Sequence, residues 1–323
     1  METATRPARW KILIAFAVIY FVWGSTFLFI RIGVRQVPPF LLAAARFTIA
    51  GGLLYLWMRF QGVPSPSRRE WMGSTALGTL MFLIDYGCLF WAEQRVPSGV
   101  AAVVLATIPV FITLLEIIFL RTSRLSLRLS VGLLVGILGV VVLMNHSFGL
   151  REPPINWAGA IALLVSSAGW SVGTILSRKL QLPDSKAMSA AAQMLTGGLQ
   201  LFVLTAVSGE FSRFHPQQVS WQGWFSLVYL IIAGSLIGFT AYVWLLHYES
   251  PTVVGTYAYV NPLVAVTLGY LVGGEALGLR TALGTALVLV SVALITTMRP
   301  SARRVPVAPG AAGNQPIVSE AAD

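Results

Sequence analysis

Ten apolar stretches alternate with short polar segments along the chain. They fall near residues 12–34, 39–59, 70–93, 97–120, 128–145, 156–177, 187–208, 222–247, 251–273 and 279–298. A membrane-crossing helix needs about 20 mostly apolar residues, so each stretch predicts one span. The longest polar segments in the body, around Gln61–Glu70 and Glu210–Ser220, are too short to form a separate soluble domain. Residues 1–11 are expected to be a cytosolic segment, and 299–323, with Pro300, Pro306, Pro309 and Pro316 among Ala, Ser and Gly, a disordered cytosolic tail. The first span has no small-residue cleavage site and is too long for a signal peptide core, so it is expected to be retained.

The pattern is written twice. Trp23-Gly-Ser-Thr-Phe-Leu-Phe-Ile-Arg31 is echoed by Trp170-Ser-Val-Gly-Thr-Ile-Leu-Ser-Arg178. Ala43-Ala-Ala-Arg46 with Gly51-Gly52 is echoed by Ala190-Ala-Ala-Gln193 with Gly197-Gly198, and Leu125-Ser-Leu-Arg128 by Leu277-Gly-Leu-Arg280. The offset stays between 146 and 154. Duplication in a chain of membrane spans marks transporters with their site where the repeats meet. Five spans per repeat, an odd number, set the two repeats in opposite orientations. The predicted fold is therefore an all-α integral membrane protein of ten transmembrane helices in two inverted five-helix repeats, 12–145 and 156–298.

Composition agrees. Charged residues are 11% and hydrophobic residues 56%, with a mean hydropathy of +0.76, against roughly a quarter charged in a soluble domain. With the N-terminus in the cytosol, fifteen of the 22 Lys and Arg residues fall inside, six outside, and Arg46 within a span. That bias predicts both termini inside and accounts for the net charge of +10. The basic residues come in threes between spans rather than along one stripe, so they indicate no nucleic-acid partner. The chain has no G-x-x-x-x-G-K-[ST] loop for ATP phosphates. Cys88 stands alone, which excludes an internal disulfide, and His146, His215 and His247 lack metal-ligand spacing. No cofactor is expected, and no residue set proposes an enzyme.

The remaining candidates are groups that lipid tolerates poorly. Arg46, seven residues into span two, and Asp85, eight before the end of span three, lie at one depth from the same side. Arg46 either snorkels outward, caps a neighbouring helix or pairs with Asp85. Asp85 is either that partner or a group that carries a proton or meets a substrate amine. Glu116, five residues before Arg121, reads as a surface anchor. Pro109 and Pro262 fall at matching places in spans four and nine, where each would bend its helix and mark a hinge or cavity wall. Thr107 and Asn261 stand beside them, placed to satisfy freed backbone groups or to meet substrate. Trp23 and Trp170, beside Gly or Ser, are pocket or core-packing residues. Tyr257 is four before Asn261 and shares its helix face. Trp91 and Trp244, near span ends, read as interfacial residues.

Taken together, Trp23-Gly-Ser-Thr26, Ala43 to Gly52, Glu93-Gln-Arg-Val-Pro-Ser-Gly-Val-Ala-Ala102, Ala106-Thr-Ile-Pro-Val110, Thr256-Tyr-Ala-Tyr-Val-Asn-Pro-Leu-Val-Ala265 and Gly274-Glu-Ala-Leu277 resemble the EamA branch of the drug/metabolite transporter superfamily. The resemblance covers about residues 11–298. It implies a ten-helix inverted-repeat bundle in the cell (inner) membrane with a central cavity. It also implies secondary transport, often export, of amino acids or related metabolites. A proton or another ion is the possible coupling partner. Uptake of a sugar or similar solute, and a membrane-embedded lipid-handling protein or enzyme, are the alternatives. In one departure, Ser123 occupies the first-repeat position that matches Glu275.

The charge bias generates a topology prediction. Reporter fusions or cysteine labelling after residue 299 and near Arg68 should both report cytosol, and an external signal at either place would contradict the ten-span arrangement.

Overall fold

The computed structural model describes residues 7–115, 118, 127–144, 156–249, 254 and 256–296. Glu116, Arg121, Ser123, Arg124, His146 and Arg151 lie outside the described residues, as do the side chains of Arg128 and His247 and everything from residue 297 onward.

Every regular element among the described residues is a helix. Away from water no solvent can satisfy backbone N–H and C=O groups, and a helix satisfies them within one segment. Helix α1 is Arg9–Val34, α2 Pro39–Phe60 and α3 Arg68–Glu93. Span four is broken into α4, Ser98–Leu105, and α5, Ile108–Leu115. Helix α6 is Leu127–Met144, α7 Trp157–Leu176 and α8 Lys186–Val207. Helix α9 runs through Trp221–Tyr229, Leu230–Ile237 and Gly238–Tyr248. Helices α10, Tyr257–Leu271, and α11, Leu279–Thr296, complete the bundle. By length and composition, seven helical segments suffice to cross a membrane; α6 and α11 also hold shorter apolar helices.

Local sequence explains several ends. Ser67 and Glu70 form a capping box at the start of α3: the Ser67 N–H donates to Glu70 Oε2 at 2.6 Å, and the Glu70 N–H donates to Ser67 Oγ at 3.4 Å. Asn156 and Ser185 cap α7 and α8 through their side chains. Pro39 opens α2, where its missing N–H has no helical partner to lose.

Two stretches depart from α geometry. Gly78–Tyr86 in α3 and Leu230–Ile237 in α9 are π-helical. They occupy corresponding places in the two halves of the sequence. A widened turn leaves carbonyls poorly served by their own helix and is frequent at functional sites.

Small residues set the packing. Helix α2 lies along α8, and α6 along α11; α1 packs against α9 and α10, while α7 packs against α3, α4 and α5. Side chains such as Phe60, Leu127 and Val207 face outward. Apolar outer faces suit lipid, where helices associate by close packing rather than by a hydrophobic drive. At the α2–α8 contact, a Cβ on Gly51 would lie 2.6 Å from the Leu195 amide nitrogen, and one on Gly198 2.6 Å from the Thr48 amide nitrogen. One glycine of each pair, Gly51 and Gly198, therefore lets these two backbones touch.

Gly51→Ala should destabilise the protein by about 1–3 kcal/mol through overpacking. Gly52→Ala, with open space around its Cβ, should be neutral or gain up to about 1 kcal/mol of helix propensity. Unfolding in detergent measures both; equal effects would contradict the close approach.

Candidate functional site

The π stretch of α9 organises one side of the site. Trp23, half-buried on α1, donates its indole N–H to the Gly234 carbonyl at 3.1 Å. A Cβ on Gly238 would stand 2.5 Å from Trp23 Nε1, so glycine is what lets the indole lie against this helix. The Trp23 ring centroid is 5.3 Å from that of Tyr242 and 5.0 Å, edge-on, from that of Tyr257. Edge contacts of this kind set the positive ring edge against a negative face.

Beside it, Arg46 on α2 is 3% exposed. Its Nε donates to Ser235 Oγ at 3.1 Å, within the same π stretch. Its guanidinium carbon lies 4.7 Å from the Phe47 ring and 5.3 Å from the Tyr86 ring. Nη1 is buried without a hydrogen-bond partner. Aromatic faces stabilise this cation, but an unpaired guanidinium N–H sealed from water remains costly. The geometry presents one free donor, suited to an anion or a carbonyl oxygen.

The second wall comes from α3 and α7. Tyr86, in the π stretch of α3, meets Trp170 edge-on at 6.3 Å. The two walls join on α9, where Gly234 takes the Trp23 indole and the next residue, Ser235, takes Arg46. Trp23, Arg46, Tyr86, Trp170, Tyr242 and Tyr257 thus form one continuous aromatic and cationic set, drawn from both halves of the chain.

Arg46 and Asp85 do not pair: no nitrogen–oxygen approach within 4.0 Å joins them. Arg46 turns to Ser235 on α9, while Asp85, 2% exposed, accepts a hydrogen bond from the Ser166 hydroxyl on α7. Equal depth on consecutive spans did not imply a shared direction, because the two helices face different neighbours.

The matched prolines also differ from a mid-helix kink in both spans. Span four breaks at Ala106 and Thr107, so Pro109 is the second residue of α5, where a missing N–H costs little. Thr107 turns its hydroxyl to the Val104 carbonyl, and the Ile108 carbonyl accepts from Ser171 Oγ at 3.2 Å. Pro262 lies inside α10. The Asn261 amide nitrogen donates to the Tyr257 carbonyl at 3.2 Å and to the Tyr20 carbonyl at 3.1 Å. Asn261 is therefore engaged with backbone, tying α10 to α1. Trp91 stacks under the Arg95 guanidinium at 3.7 Å, an arrangement suited to a span end.

Tyr86, Tyr242, Ser166 and Ser235 were not legible as site residues. Tyr86 is next to Asp85, and that adjacency was the available signal. Nothing in the composition of Leu230–Ile237 announces a π turn.

Comparisons with known proteins agree with this architecture. The model of the EamA-like transporter family matches residues 10–145 and again 157–297. The uncharacterized inner membrane transporter YedA of Escherichia coli (strain K12) is 36% identical over 284 residues, 87% of this chain and 89% of its own length. Protein PecM of Dickeya dadantii (strain 3937) is 26% identical over 291 residues, 89% of this chain and 93% of its own. One solved crystal structure, 23% identical with a TM-score of 0.58, covers 92% of this chain and 100% of its own and shows the fold alone. With two tandem matches filling most of its length, this multi-pass membrane protein belongs to the EamA-like transporter family.

Proposed function

We propose that this transporter of the drug/metabolite superfamily exports amino acids or related small amphipathic metabolites by alternating access. Its spans would be ten, in two inverted five-helix repeats over 12–145 and 156–298, with both termini in the cytosol. The single observation that carries the substrate class is the buried Arg46 with its free Nη1, walled by Phe47, Tyr86 and the rings beyond. A carboxylate would take the free donor in a charge-assisted hydrogen bond. An apolar or aromatic body would lie among Trp23, Trp170 and Tyr257, and Asp85 would meet an amine or carry a proton.

The packing supports the repeat reading. The α2–α8 and α6–α11 contacts pair corresponding spans. The contacts of α1 with α9 and α10 are matched by those of α7 with α3, α4 and α5. In this state the rings meet one another at 5.0 to 6.3 Å. Transport would part them, with Pro109 and Pro262 as the hinges of the two halves. A ligand moves such an equilibrium only as far as it binds one state better than the other.

Cells with and without the protein should differ in the ratio of internal to external amino acids, measured by metabolite profiling. For the solute so found, Arg46→Gln should weaken apparent affinity roughly 10- to 100-fold, the equivalent of losing a charged hydrogen bond of about 1.5–3 kcal/mol. An unchanged affinity at normal abundance would remove Arg46 from the site. Pro109→Leu and Pro262→Leu should lower the transport rate per folded protein more than they lower abundance. If both keep the parent rate, neither proline is a hinge.

A further inference from the structure

A second polar cluster closes the end of the bundle where α3 gives way to α4. Glu275, just before α11, accepts from the Ser98 N–H at 2.7 Å and the Gly99 N–H at 3.1 Å. Its carboxylate thereby caps the positive end of α4. Arg31 on α1 spans the same gap. Its Nη1 donates to the Glu93 backbone carbonyl and to the Val96 carbonyl, the latter at 2.7 Å, and its Nε lies 4.0 Å from Glu275 Oε1. Helices α1, α3, α4 and the α10–α11 connection are thus latched through one guanidinium and one carboxylate. Beneath the latch is a small pocket of about 30 Å³, lined by Gly99, Val100, Glu275 and Arg280 among others.

Glu93 is the anomaly. Its side chain is fully buried, and neither carboxylate oxygen meets a hydrogen-bond donor among the described residues. The charged groups facing it are Arg31 from α1, Arg46 from α2 and Glu275 from the connection before α11. Helix α7, packed against the same end of α3, carries no charged residue, and neither does α4. A carboxylate sealed from water and without donors costs several kcal/mol unless it takes up a proton or gains a partner. Of the two cations, Arg31 is already held by Glu275 and two backbone carbonyls, and Arg46 is held through Nε by Ser235 and makes no hydrogen bond to Glu93.

We propose that Glu93 is a proton-carrying switch for this closure, a role that gives the alternating-access reading its coupling site. With a proton on Glu93, one cation, Arg31, faces one anion, Glu275, and the latch holds. When the proton leaves a Glu93 oxygen for water at this end of the bundle, two carboxylates compete for the Arg31 guanidinium. Arg31 swings toward Glu93, Glu275 loses its contact with Arg31, and its hold on the start of α4 loosens. The proton is the only group transferred, and no covalent bond other than its O–H changes.

The test reads closure directly and needs no transported solute, so its failure would leave the transport reading standing. In a Cys88→Ala background, Val100→Cys places a thiol at a buried position under the latch. Its labelling by a membrane-impermeant maleimide is compared with that of Gln218→Cys, an exposed site that corrects for thiol ionisation. Between about pH 6 and about pH 9 the normalised rate should rise about tenfold. Adding Glu93→Gln, a permanently neutral isostere, should leave it low and flat; adding Glu275→Gln should leave it high at both ends. A pH rise that survives Glu93→Gln, or no rise in the parent, overturns the proposal. Should Glu93→Gln fail to fold, infrared spectra of the Asp85→Asn protein decide. The carbonyl band of a protonated carboxyl must fade over the same pH range, and a band that does not change with pH overturns the switch.

Discussion

Removal of water from the backbone governs this molecule. In lipid, a peptide group must find its partner within the protein. That requirement makes every described element helical, and it also makes each departure from α geometry informative. Where α9 widens into a π turn, Trp23 serves the Gly234 carbonyl, and Arg46 meets the hydroxyl of the next residue, Ser235. The site is built from those repairs. Side chains that would be free to move in water are held by carbonyls and hydroxyls their own helices do not use.

The same constraint sorts the charges. Arg46, Asp85, Glu93 and Glu210 are all buried, yet their partners are mostly neutral: a serine hydroxyl, a second serine hydroxyl, none, and the Leu41 N–H. A buried ion pair gains little over an apolar pair once desolvation is counted, whereas a buried charge with an incomplete set of partners is poised to accept one. Among these four, Arg46 keeps a buried donor and Glu93 two buried acceptors without a hydrogen-bond partner among the described residues.

Much of this was written in the sequence, because length and hydropathy are what the bilayer selects. The starts of α1, α2, α3, α7, α8 and α9 fall within three residues of the apolar stretches that predicted them. The Trp23, Gly51 and Gly198 echoes lie at real helix contacts, since small residues are needed wherever backbones touch. Direction around a helix was not legible. Depth follows from counting residues, but the neighbour a side chain meets depends on helix rotation, and a π turn shifts that rotation without any residue signature. Hence the Arg46–Asp85 pair, one of the readings that equal depth offered, is not formed: Arg46 meets Ser235 and Asp85 meets Ser166. Glu93 entered only as the first residue of a stretch that carries the family resemblance, because a single acid at a span end carries no mark of how completely neighbouring helices cover it.

The π stretches also bear on how such chains change length. A π turn holds one residue more than the α turn it replaces, so Gly78–Tyr86 and Leu230–Ile237 are places where a residue has been accommodated without unravelling the helix. Deleting one residue inside either stretch would tighten it to α geometry and keep the flanking turns in phase. The same deletion elsewhere in α3 would rotate every later side chain by about 100°, the angle of one residue in a 3.6-residue turn. Single-residue deletions within α3 and α9 should therefore be tolerated at these two places better than elsewhere. The geometry of the site records where its helices can absorb a change of length.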